Sequence, residues 1–207
     1  MSKEKLFTQE ELNEMGRKTV DVLQETIDSG DKDKAKKLSR RMYSEFLGMH
    51  DLYRDWVTAL LSFIVKRYGD DVLLEALNES YGGITKRLGK HYSGRTLKQK
   101  IQILTAGLRG HLQPFKLEED DEKVTIITTP CASGGRLVLD GYYDAPVNFA
   151  KIKKKQPMTF DRTDFPVYCA HCYIQNITPY EPGDEPLFIT HPAEKLGEQP
   201  CKGYIRK

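Results

Sequence analysis

Residues 111–129 read HLQPFKLEEDDEKVTIITT, and the chain changes character inside them. Before Pro114 the apolar residues recur every three or four positions, the period of a helix. From Lys123 they are β-branched and alternate, the period of a strand. Helical residues first and strand residues last predict an α+β fold. The expected organisation is an N-terminal helical bundle over 1–113, then a small antiparallel sheet over 114–207 carrying a Cys-rich metal site. The two regions are expected to form one compact unit. A chain of 207 residues suits that size.

Upstream of the break, Thr8 and Glu11 have capping-box spacing. Leu12, Met15, Thr19, Val22 and Leu23 follow at helical intervals, and "DSGDKDK" at 28–34 ends that helix. A second helix is predicted over Asp33–Leu47. Next, Leu52, Trp56, Leu60, Phe63 and Ile64 form one stripe, and Tyr53, Val57, Leu61 and Val65 form the adjoining one. A helix apolar over so wide an arc is expected to be central and covered by its neighbours. Tyr53, Trp56 and Phe63 are then core residues, with Tyr142 and Tyr143. "RYGDD" at 67–71 ends this helix with glycine behind basic residues. Leu73, Leu77, Tyr81, Ile84 and Leu88 predict another helix, weakened at Gly82-Gly83. Leu97, Ile101, Leu104 and Leu108 predict the last.

Downstream, "KVTIITT", "GRLVL", "CYIQNIT", "PLFIT" and "KGYIR" read as short strands, and "PYEPGDEP" supplies a Pro-Gly turn. Nine of the ten prolines fall at or after Pro130, which fits a looped antiparallel sheet. The acidic run Glu118–Glu122 and the basic run Lys151–Lys155 read as solvated turns.

Composition narrows the function. A net charge of +2 creates no bulk field for nucleic acid or an anionic membrane. The longest uncharged apolar stretch, Trp56–Val65, is half the length of about 20 residues that a bilayer requires. The first residues lack the apolar run of a signal peptide. A cytoplasmic protein is therefore expected, and there thiols stay reduced. Metal binding or catalysis is then favoured over a disulfide framework.

The four cysteines all lie after the break. Cys169 and Cys172 bracket His171 in "YCAHC", and Cys131 and Cys201 each follow a proline. Two ligands separated by two residues can face one ion from a tight turn, with remote loops delivering the others. Cys131, Cys169, Cys172 and Cys201 are accordingly the candidate metal ligands. Zn²⁺ is the favoured cofactor, and an iron–sulfur cluster is the alternative. Buried free thiols, a redox pair, or a nucleophile with its base remain open readings of the same residues.

In "CASGGR", Ser133, Gly134 and Gly135 allow a turn whose amides converge on an anion. Arg136 could bind a substrate carboxylate bidentately. His111 stands at the junction of the two regions, where ligand pockets tend to form. With His171 it is a candidate proton-moving residue. His50, at the head of the apolar stripe, is a candidate substrate contact.

Helices ending in a short sheet, the cysteine ahead of "KGYIR" and the upstream Cys169 together resemble the 4-vinyl reductase domain. The same layout is similar to the 2-amino-thiazoline-4-carboxylate hydrolase family. The likeness runs from about Met49 to Ile205. It implies zinc held by Cys169 and Cys201 beside a buried ligand pocket. The 4-vinyl reductase domains include bacterial sensors of aromatic compounds; "YCAHC" is denser than the pattern of those sensors, and "PCASGGR" has no counterpart in it. No DNA-binding or ATPase region follows, so a sensor of this kind would act alone or through a partner. Three versions follow: a metal-dependent hydrolase or lyase acting on a small organic acid or aromatic molecule, a non-catalytic sensor with structural zinc, and an iron–sulfur protein. The expected partner is a small-molecule ligand, with no nucleic acid and no membrane; a homodimer is left open.

Overall fold

The computed structural model describes residues 6–128 and 130–207. The chain divides into two units, one running to Leu52 and the other covering Tyr53–Lys207. The change of period near residue 114 thus falls inside the second unit.

In the first unit, α1 (Gln9–Met15) starts on the expected capping box, with the Thr8 hydroxyl accepting from the Glu11 amide and the Glu11 carboxylate accepting from Thr8. The single helix expected across Leu12–Leu23 is two, because the chain turns at Gly16 and restarts as α2 (Thr19–Asp28). The Thr19 hydroxyl donates to Glu45 at 2.6 Å. Among the described residues of this unit, the buried ones are Thr19, Thr26, Leu38 and His50. A single large aliphatic side chain is not a core of its own.

The helices expected at 33–47 and 52–65 are one continuous element, α3 (Lys32–Tyr68). No proline interrupts it, and Gly48 is tolerated inside a helix at a cost of about 1 kcal/mol. The expectation that its apolar stripes are covered is overturned. Trp56 is 58% exposed, Phe63 56% and Tyr53 52%, and Leu52, Val57 and Leu60 are also exposed. The turned-in face of the second unit's portion is largely polar: Arg54, Thr58 and Ser62 are buried beside Leu61. Each of these polar residues has a partner. Thr58 donates to the Arg54 carbonyl at 2.6 Å, Ser62 accepts from the Ala150 amide at 2.9 Å, and Arg54 pairs with Asp55. Of the five aromatics expected in the core, Tyr143 is buried and Tyr142 packs against the core's edge.

After Gly69 come α4 (Asp70–Leu77), a π-helical turn (Asn78–Gly82) and α5 (Gly83–Leu88). The Gly82-Gly83 step weakens the helix as expected, and the extra residue of the π turn is accommodated there. Helix α6 (Leu97–Gly110) begins on a second capping box, Thr96 with Gln99.

The sheet has strands β1 (Phe115–Glu119), β2 (Lys123–Thr128), β5 (Ile189–His191) and β6 (Cys201–Arg206), ordered β1-β2-β6-β5 and wholly antiparallel. Leu97, Ile101, Leu104 and Leu108 of α6 pack with Val124 and Ile126 of β2 and Ile205 of β6. Gly203 lies opposite Ile126, and the Phe188 ring fills the space a side chain would take: a Cβ there would stand 1.9 Å from it. The acidic run is half strand: Glu118 and Glu119 belong to β1, and only Asp120–Glu122 turn, with Asp120 accepting from the Glu122 and Lys123 amides. The basic run is also not all turn. β3 (Lys151–Ile152) pairs with β4 (Phe165–Pro166) and buries Ile152 completely.

Two expected strands are helices. "GRLVL" lies in α7 (Gly134–Leu139) and "CYIQNIT" in α8 (His171–Ile177), the latter entered by a 3₁₀ turn over Val167–Ala170. Leu137 and Ile174 are both fully buried with Leu73, Leu77, Met158 and Val167 in a second cluster. Thr129, read as the end of "KVTIITT", lies outside the described residues. No helix of the described residues is long and apolar enough to cross a membrane.

Candidate functional site

All four cysteines belong to the second unit and reach one neighbourhood from three segments. Cys131 follows β2, Cys169 and Cys172 sit on the turn that leads into α8 and on its first residues, and Cys201 opens β6. Helical spacing of three residues puts Cys169 and Cys172 on one face. Glycine allows the approach of the first two segments. A Cβ on Gly134 would lie 2.6 Å from Cys169 Sγ, and one on Gly135 would lie 3.1 Å from the Cys131 Cβ.

Gln113, absent from the sequence reading, anchors the Cys131 loop. Its carboxamide donates to the carbonyls of Pro114 and Pro130 and accepts from the Ala132 amide at 2.7 Å. An isolated glutamine next to proline carries no motif, so only the fold reveals it. At the third segment the Ala193 amide donates to Cys201 Sγ at 3.4 Å. Arg162 donates to the carbonyls of Pro192 and Ala193 and so holds that loop from the other side.

Electrostatics record how close the thiols are. Burial raises the Cys169 thiol well above its ordinary range, and Cys172, Cys131 and Cys201 each raise it further, while Arg162 opposes them. Burial pushes Cys172 up to about 12. Cys201 rises to about 11, chiefly through burial; Cys131 and Cys172 add to the rise, and the Ala193 amide and Arg162 oppose it. All four cysteines are free of disulfides. Near neutral pH, the three raised thiols are protonated. Among the described residues, no three His, Cys, Asp or Glu side chains already stand in an arrangement that would hold a metal ion. The donor set therefore suits a thiolate-bound metal in kind, but its side chains are not drawn into a coordination shell.

His171 lies 2.6 Å from the Tyr168 carbonyl through Nδ1, between the rings of Tyr81 and Tyr168. A carbonyl can only accept, so Nδ1 carries the proton and Nε2 presents its lone pair to Cys172 Sγ, 3.7 Å away. Burial lowers the His171 pKa, which keeps the ring neutral. His111 Nε2 is 2.7 Å from Ser133 Oγ, and Ser133 also bonds the Tyr168 hydroxyl. That hydroxyl is pushed up to about 12, mainly by burial. His111, Ser133 and Tyr168 thus form a hydrogen-bonded chain beside the thiols, and neither Ser133 nor Tyr168 was singled out as a contributor to it in the sequence reading.

Arg136 donates to the Ala132 carbonyl at 3.4 Å, which turns at least one of its nitrogens onto its own loop. His50 belongs to the first unit, where Nδ1 lies 2.9 Å from the Asp51 carboxylate. A surface depression of about 340 Å³ is lined by His191, Ala193, Glu194, Pro200 and Lys202, among others, and adjoins Cys201. A second, of about 240 Å³, includes Arg162, Lys151, Asp164 and Tyr143. Neither includes Arg136, His111 or His171 in its lining. No protein-family model, curated protein or solved structure matches the chain.

Proposed function

We propose that the chain is a metal-binding protein in which Cys131, Cys169, Cys172 and Cys201 hold a single site, with Zn²⁺ the favoured ion. The observation that carries this reading is the gathering of four free thiols from three segments far apart in sequence, each of three acting on the fourth. Thiolates are soft donors suited to zinc. Neutral thiols gain little by closing to coordination distance, so a shell would form as a cation replaces their protons. Bound metal would tie the loop after β2 to α8 and β6. The ligand pair implied by the 4-vinyl reductase resemblance, Cys169 and Cys201, is a subset of these four. Nε2 of His171 is available as a substitute ligand beside Cys172. Arg162 offsets part of the negative charge that a thiolate shell carries.

A small organic ligand belongs to the same proposal. The depression adjoining Cys201 has the size of a small-molecule site, and Lys202 in its wall suits an organic acid. The chain of His111, Ser133 and Tyr168 lies beside the thiols rather than in the wall of that depression, so the proton-moving role proposed for His111 belongs at the metal site.

Anaerobic purification, metal analysis and an absorption spectrum test the proposal. The expected product is colourless and holds stoichiometric zinc. Cys201→Ser should lose the metal and melt at lower temperature. A protein that takes up no metal on reconstitution, or a Cys201→Ser variant that keeps its metal and melts unchanged, would overturn the site. Iron with a broad visible band would keep the site and replace zinc by a cluster.

A further inference from the structure

The exposed apolar residues of α3 are not scattered. Met42, Phe46, Met49, Tyr53, Trp56, Leu60 and Phe63 are spaced alternately by four and three residues, and every one is exposed. That is the spacing of the a and d positions of a coiled coil. Tyr53, Trp56, Leu60 and Phe63 belong to the second unit, and the first three continue the same period in the first. Tyr43, Leu52 and Val57, next to the seam in sequence, are exposed as well.

The inward face makes the pattern more telling. In the second unit α3 buries Arg54, Thr58 and Ser62 and leaves Trp56, Leu60 and Phe63 out. A helix that worked only in a monomer would be turned the other way. The outward side chains amount to on the order of 800–1,000 Å² per chain, taking roughly 80–100 Å² for each half-exposed large residue. The largest apolar patch on an ordinary monomer is about 300–600 Å². A standard interface buries about 800 Å² per partner.

We infer that this face is the interface of a homodimer in which α3 pairs with α3 of a second copy. A heptad seam is self-complementary, since each copy presents the knobs and the holes that the other needs. Charge sets the direction. The first ten residues of α3 hold Lys32, Lys34, Lys36, Lys37, Arg40 and Arg41 against Asp33 alone. Parallel pairing would lay these six cations against their own copies, whereas antiparallel pairing sets them toward the other end of α3, whose last turn holds two, Lys66 and Arg67. The dimer is therefore antiparallel. This inference is independent of the metal site.

Sedimentation of the full chain from about 1 to 100 µM tests it. The expected result is a species of twice 23.7 kDa that dissociates on dilution. Trp56→Glu and Leu60→Glu should each raise the dissociation constant by roughly a hundredfold or more, because each sets an unpaired charge in a dry seam. Circular dichroism checks that the variants keep their helices. If a variant unfolds, Leu60→Ala, which adds no charge, should still weaken the dimer measurably. A Met42→Cys variant reports direction, since two copies of residue 42 meet only in a parallel pair. A wild-type chain that stays monomeric at 100 µM would overturn the homodimer and leave the face to a different protein. So would a dimer that Trp56→Glu and Leu60→Glu leave intact. Ready Met42→Cys self-crosslinking would overturn the antiparallel assignment.

Discussion

Gly134 shows how one missing side chain shapes the thiol neighbourhood. A methyl group there would stand 2.6 Å from Cys169 Sγ and 3.4 Å from the Tyr168 ring, so the Cys169 side chain would have to shift. Gly134→Ala is expected to cost about 1–3 kcal/mol, the usual range for overpacking a filled interior. Gly135→Ala, whose nearest contact would be 3.1 Å, should cost less. Thermal melts of the two variants compare them. Wild-type melting of Gly134→Ala would mean that Cys169 is not held where the structure puts it. Cys169 itself was legible in "YCAHC", and so were the other three cysteines as a set. Gln113 and Arg162 were not, because each acts through partners that are remote in sequence, and Ser133 was legible as part of a turn but not as the partner of His111. Gln113 reaches Pro130 and Ala132, and Arg162 reaches Ala193 across 31 positions.

At the level of elements, α6 and strands β2 and β6 behaved as their periods dictate. The stripe from Leu97 to Leu108 meets the inward residues of β2 and β6. That contact depends on Gly203, since Phe188 occupies the space beside it. Gly203→Ala should displace the ring and cost about 3 kcal/mol, at the upper end for overpacking. Urea denaturation would measure it, and a loss below about 0.5 kcal/mol would show that the ring has another place to go. By contrast, "GRLVL" and "CYIQNIT" are too short for period alone to separate strand from helix. They were read as further short strands of the sheet. Burial of Leu137 and Ile174 in one cluster, together with the approach of α7 to Cys169, made both helical.

At the level of the whole molecule, thiol ionisation offers a test of the metal proposal that needs no mutation. In the metal-free chain Cys172 and Cys201 titrate near 12 and 11, above the ordinary thiol value of 9.0. Each favours the folded chain while protonated. That contribution is complete below the ordinary thiol value of 9.0 and is lost as pH rises from there through the folded values. The metal-free protein should therefore melt at lower temperature at about pH 10 than at about pH 8. Loaded protein, whose thiols are already deprotonated, should lose much less over this interval and should release metal in acid instead. Equal alkaline losses with and without metal would argue against thiolate ligation.

From the sequence by itself came the α+β class with helices ahead of the first strand, the capping box of Thr8 and Glu11, the face that α6 turns to the sheet, and the restriction of every cysteine to the later part. These are local properties: period, hydrogen-bonding side chains near helix starts, and residue type. Tertiary structure alone decided which way α3 faces. Its apolar stripes were legible, but a stripe records only that something apolar is to be covered, not what covers it. Within the chain, Ala150, Asp55 and the Arg54 carbonyl pair with Ser62, Arg54 and Thr58 on the opposite face, and that face is the one turned inward. The meeting of Cys131, Cys169, Cys172 and Cys201 is likewise a property of the fold, because separations of 37 and 28 residues become proximity only when β2, α8 and β6 are in place.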